Sequence, residues 1–145
     1  MIYIGIDTGV NTGIAIWDNR KRSLEMVTSM AIHKAMDEVR HWKKVAEGMG
    51  TKLVVRVEDP RQRVWFGTER MSREDERKRL QGVGSVKRDA SIWDAFLKDS
   101  GIIYEMVAPK MNTTKISHDG FVRMTGWSKR TNEHSRDAAM LVYGF

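Results

Sequence analysis

Four side chains able to do acid, base or metal chemistry stand at telling positions. Asp7 ends the apolar run "IYIGID", Glu58 ends "KLVVRVE", and His134 and Asp137 lie three apart in "HSRDAAMLVYG". Singly, each has an ordinary explanation. Asp7 leads into "TGVNTG", and Glu58 with Asp59 precedes Pro60, so both sites can be turns. A lone histidine on a helix is seldom a ligand. Together they form a far more specific pattern. Convergent carboxylates raise one another's pKa unless a cation compensates. An Asp, Glu, Asp set with one histidine suits Mg²⁺ or Mn²⁺, hard cations that prefer oxygen ligands. Two such ions roughly 4 Å apart activate water and stabilise the leaving oxygen in phosphodiester cleavage. Small residues after Asp7, namely Thr8, Gly9 and Gly13, would let a phosphate approach.

The elements that must bring these residues together are legible in the periodicity. Ile2 to Asp7, Gly13 to Asp18 and Ser23 to Thr28 read as three strands, with "DNRK" as a turn between the second and third. Ile32, Met36, Val39, Trp42 and Ala46 recur at helical spacing, with Ser29 as the expected cap and Gly48 and Gly50 at the end. Lys52 to Asp59 reads as a fourth strand. Ser72 to Ser100 is helical in composition, and Val83, Val86, Ala90, Trp93 and Leu97 alternate steps of three and four as along a helix–helix seam. Gly82 and Gly84 permit close approach there. Ile102 to Ala108 reads as a fifth strand, Asp119 to Thr125 as a short helix, and Asn132 to the end as the last helix, capped by Thr131 or Asn132. The order β-β-β-α-β-α-β-α-α predicts an α/β fold with a mixed five-stranded sheet and helices on its faces. If the first and fourth strands are parallel neighbours, Asp7 and Glu58 emerge at one sheet edge, where ligands of such sheets bind. The last helix can then bring His134 and Asp137 across.

The chain of 145 residues is 41% hydrophobic and 30% charged, which predicts one globular domain over 1–145. It contains no cysteine, which excludes disulfides, Cys-ligated zinc and thiol nucleophiles. No apolar run approaches the roughly 18 residues that span a bilayer. With no secretory leader evident, the expected location is cytoplasmic, in the host cell if the protein is phage-encoded. The formal net charge of +6 predicts a polyanionic partner such as nucleic acid. Arg61, Arg63, Arg70, Arg73, Lys87 and Arg88 crowd one central segment that also carries Trp65 and Phe66.

These residues resemble the RuvC-type Holliday-junction resolvases of the RNase H-like nuclease superfamily, over almost the whole chain. "IGIDTGVNTGIAIWD" is similar to the family's opening hairpin, with Asp7 as its first metal ligand. "LVVRVED" resembles its fourth strand, with Glu58 as its glutamate. "HSRDAAMLVYG" resembles its C-terminal helix, where an Asp or His, two residues and an Asp correspond to His134 and Asp137. "LQGVGSVKRDA" is similar to the Gly-containing helix of its dimer interface, which implies a homodimer seam including Gly82, Val83, Val86, Ala90 and Trp93. "VAPKMNTTK" resembles the segment whose lysines face the scissile phosphate, which makes Lys110 and Lys115 catalytic candidates. The resemblance implies Mg²⁺ or Mn²⁺, two ions at each site, held by Asp7, Glu58, His134 and Asp137. It implies a homodimer that resolves four-way DNA junctions, with Thr8 and the basic segment contacting DNA and Trp65 or Phe66 stacking on opened bases.

Three other readings share some of these features. A nuclease acting on RNA–DNA hybrid, flaps or other branched DNA would have nearly the same fold and metal site. A non-catalytic basic module would bind nucleic acid with its carboxylates serving structure. "GIDTGVNTG" also resembles the first phosphate loop of actin-like ATPases and sugar kinases, but that reading expects two such domains.

Overall fold

The computed structural model describes residues 1–62, 72–110 and 114–145. Its elements follow the order β1 (Ile2–Asp7), β2 (Asn11–Asp18), β3 (Ser23–Ala31), α1 (Ile32–Gly48), β4 (Leu53–Glu58), a 3₁₀ turn (Pro60–Gln62), α2 (Arg73–Asp99), β5 (Ile103–Val107), α3 (His118–Thr125) and α4 (Glu133–Met140). The strands form one sheet in the order β3-β2-β1-β4-β5. β1 pairs antiparallel with β2, and β2 with β3; β1–β4 and β4–β5 are parallel. This is an α/β fold with a mixed five-stranded sheet and helices, compatible with the RNase H-like arrangement expected from the sequence.

Strand alternation assigns the two faces. Ile2, Ile4 and Ile6 of β1, Ile14 and Ile16 of β2, and Leu53, Val55 and Val57 of β4 point to one face, where α1 contributes Ala35 and Val39, and α2 contributes Trp93 and Leu97. On the opposite face Ala15, Trp17 and Val27 pack with Phe121 of α3 and with Ala138, Ala139 and Val142 around α4. Helices therefore cover both faces.

Helix α4 approaches the sheet so closely that two glycines are required. A Cβ on Gly5 would lie 2.0 Å from the Ala138 carbonyl oxygen, and one on Gly13 would lie 2.0 Å from that of His134. Both obstacles are backbone, so no side-chain movement relieves them. The space beside Gly13, expected to admit a phosphate, is filled by α4 itself.

Helix ends differ in part from expectation. Ser72 caps α2 by accepting from Asp75 N at 3.1 Å. Asn132 caps α4 in a reciprocal box with Ser135. Ser29 does not cap α1: that role falls to Ala31 with no side-chain bond, because β3 continues to Ala31. The Ser29 hydroxyl instead accepts from Asn132 Nδ2 at 2.5 Å, tying β3 to the start of α4.

Candidate active site

Asp7 and Glu58 each follow a paired core residue, since Ile6 and Val57 are partners in the parallel β1–β4 register. With Ile6 and Val57 buried on the α1–α2 face, alternation turns both carboxylates to the α4 face. Thr8, itself buried, donates its hydroxyl to the Glu58 carbonyl at 3.3 Å and links the two strand ends. Across them, α4 presents His134 and Asp137 from one side of the helix. His134 Nδ1 lies 2.8 Å from Asp7 Oδ2 and donates to it. Lys115 Nζ lies 2.5 Å from Asp137 Oδ2 and 2.7 Å from Glu133 Oε1.

Asp7, Thr8, Glu58, Lys110, Lys115 and Asp137 all line one open cleft of about 670 Å³. His134 reaches this group through its bond to Asp7. Burial pushes the Asp7 carboxyl up; the His134 hydrogen bond opposes this and the nearby Asp137 charge reinforces it, leaving the group above its usual range. Burial works to lower the Lys115 ammonium, but hydrogen bonds from it to Asp137 and Glu133 prevail and raise it. Lys115 is therefore a firmly held positive charge.

Among the described residues, no three His, Cys, Asp or Glu side chains are grouped closely enough to hold a metal ion as they stand. In kind the donor set fits a hard cation, because three carboxylates line the same cleft. Asp7, Glu58 and Asp137 are the residues that would hold it. In this arrangement Lys115 balances the charge of Asp137, and His134 engages Asp7.

The expected nucleic-acid contacts separate into distinct groups. Arg73, Lys87 and Arg88 are exposed on α2, whereas Arg61 is committed internally. Arg61 clasps buried Asp59 with Nε–Oδ1 at 2.7 Å and Nη2–Oδ2 at 2.9 Å, and reaches Asp94 Oδ2 at 3.1 Å. Tyr104 donates to the other Asp94 oxygen at 2.5 Å. Arg61 thus joins the end of β4 to α2 and β5 rather than presenting a free charge. Arg63, Trp65, Phe66 and Arg70 lie outside the described residues.

The expected dimer seam also divides. Ala90 and Trp93 are fully buried in this chain's own core, so they do not face a second copy. Gly82 is exposed and Val83 is half-buried, while Val86, also half-buried, lines the cleft. Two cleft-associated residues had gone unnoticed. Glu133 shares Lys115 with Asp137, and Arg56 lines the cleft two positions before Glu58. The signal for Arg56 was a cation interrupting the valines of "LVVRVE".

Searches against family models, curated proteins and solved structures found no match to this chain.

Proposed function

We propose that this chain is a metal-dependent endonuclease of the RNase H-like kind that cuts branched DNA, with the four-way junction as its substrate and a homodimer as its working form. The observation that carries this reading is the meeting of Asp7, Glu58 and Asp137 in one cleft with Lys110 and Lys115. The resemblance of the same residues to the junction resolvases supports the choice of substrate.

When bound, Mg²⁺ or Mn²⁺ supplies Lewis-acid activation of water and stabilisation of the leaving oxygen. Asp7, Glu58 and Asp137 provide the oxygen donors. His134 orients the Asp7 carboxylate, and Thr8 keeps the Glu58 strand end beside β1. Lys115 and Lys110 attract and orient the scissile phosphate, Lys115 exchanging its carboxylate partners for phosphate oxygens. The exposed part of α2 ahead of Asp89, with Gly82 and Val83, supplies the contact between two copies. Arg73, Lys87 and Arg88 hold DNA backbone.

The pairing of Lys115 with Asp137 favours a second reading, a basic nucleic-acid-binding module whose acidic residues serve structure. A cleavage assay separates the two. Purified protein is incubated with and without Mg²⁺ or Mn²⁺ on a four-way junction, linear duplex, flap, single-stranded DNA and RNA–DNA hybrid. The proposal expects metal-dependent paired nicks on the junction. Cleavage confined to the hybrid or flap would reassign the substrate, and binding without cleavage under every metal condition would favour the module.

A further inference from the structure

Arg56 occupies a position that stability alone does not explain. It projects from β4 on the same face as Glu58 and lines the same cleft. Its register partners are Gly5 on β1 and Glu105 on β5. Gly5 offers no side chain, and the α4 backbone fills the space above it. On the other flank, Arg56 Nη1 meets Glu105 Oε2 at 2.7 Å. The guanidinium carbon stands 4.2 Å from the centroid of the Phe145 ring, which also lines the cleft.

The Arg56 side chain is only 17% exposed, while its Glu105 partner is 57% exposed. A pair with so exposed a carboxylate contributes little. Arg56 Nε is buried with no hydrogen-bond partner among the described residues, an arrangement that costs stability. A planar guanidinium stacked on an aromatic ring, set in a cleft and paired with an exposed carboxylate, matches phosphate recognition.

We infer that Arg56 is a phosphate-binding residue that holds the DNA backbone beside the carboxylate cluster. This rests on the nucleic-acid reading of the cleft and extends it to a residue outside the expected set. The backbone ligand runs along the cleft from the lysine side, past Asp7 and Glu58, to Arg56. There a phosphate oxygen competes with Glu105 for the Nη1 edge of the guanidinium. Glu105 acts as a placeholder that keeps the cation aimed while the cleft is empty.

The test is equilibrium binding to a four-way junction without divalent metal, by fluorescence anisotropy over a series of salt concentrations. Wild type, Arg56→Gln, Arg56→Lys and Glu105→Gln are compared, with melting temperatures recorded alongside. Loss of one phosphate contact should make the slope of log K against log salt shallower by about one unit in Arg56→Gln. Arg56→Lys should keep the slope and bind several-fold more weakly, because the charge remains and the fork is lost. Glu105→Gln should bind more tightly than wild type, since the internal competitor is gone. Unchanged slope and affinity in folded Arg56→Gln, with normal wild-type binding, would overturn the role of Arg56 alone. If Arg56→Gln does not fold, unchanged affinity in Glu105→Gln has the same force. A wild type that binds no junction at any salt would overturn the nucleic-acid reading and this inference with it.

Discussion

Asp7, Glu58 and Asp137 share a cleft yet have different neighbours, and that difference governs what substitution does. Asp7→Asn, Glu58→Gln and Asp137→Asn should each lower metal-dependent junction cleavage by at least about 100-fold, because each removes charge stabilisation at the reacting centre. Junction binding should persist in all three, measured by gel shift without metal. Near-normal turnover in any one removes that residue from the site. Lys115→Met should also cut turnover by about 100-fold while shifting the melting temperature by no more than roughly 2–3 °C, since pairs with a 58% exposed lysine add little stability. Arg61→Met should do the reverse. It strands buried Asp59, with an expected loss of about 2–3 kcal/mol, discounted from the value for a fully buried pair because Arg61 is 30% exposed. The two cations look alike in a basic sequence. The carboxylate that claims Arg61 on α2 lies 33 positions away, a separation at which composition carries no signal. Asp7 and Glu58, by contrast, were legible because a charge ending an apolar strand run is a local event.

Between elements, the Asp59–Arg61–Asp94–Tyr104 network sets an acid limit. Burial tends to raise Asp59, but bonds from Arg61 and Gln62 hold its carboxyl below the ordinary value of 3.8. The Tyr104 hydroxyl, then Arg61, holds Asp94 below 3.8 as well. Carboxyls depressed in the folded state contribute stability that is full above their unfolded values and lost as pH falls through the folded ones. The melting temperature of wild type should therefore fall more steeply below about pH 4 than that of Arg61→Met, in which the share due to the Arg61 guanidinium is absent. Parallel slopes in a thermal scan across pH 2–5 would show that the network does not couple to folding. The helix–sheet contact makes a different demand. Gly5→Ala or Gly13→Ala should destabilise by about 1–3 kcal/mol or more, read as loss of melting temperature. Periodicity identified α4 and the strands beneath it, but the closeness of their approach is a tertiary property. Gly13 therefore read as room for a ligand when it is room for a helix. Trp93 misled for the same reason, since helical spacing marks an apolar face without saying whether sheet or second copy covers it.

For the whole molecule, α2 is the element whose first half lies largely exposed. Its 27 residues extend about 40 Å, and its burial is concentrated from Asp89 onward, where Ala90, Trp93 and Leu97 enter the core. The exposed portion ahead of Asp89 should pair two copies. Light scattering at micromolar concentration should give a dimer, and Val83→Asp should give a folded monomer that nicks junctions without paired cutting. Metal should also act on the whole fold: Mn²⁺ at about 100 times its dissociation constant should add about 2.7 kcal/mol of stability, and Asp7→Asn should abolish most of that gain.

The backbone contact at Gly5 and Gly13 has a consequence for heating. His134 and Asp137 are carried on a helix whose main chain rests on the main chain of β1 and β2, with no side-chain layer at those two points to soften first. Gradual loosening of rotamers elsewhere leaves their spacing from Asp7 intact. Catalytic competence should then not fade ahead of melting. It should vanish within the same cooperative transition, and return with it on cooling.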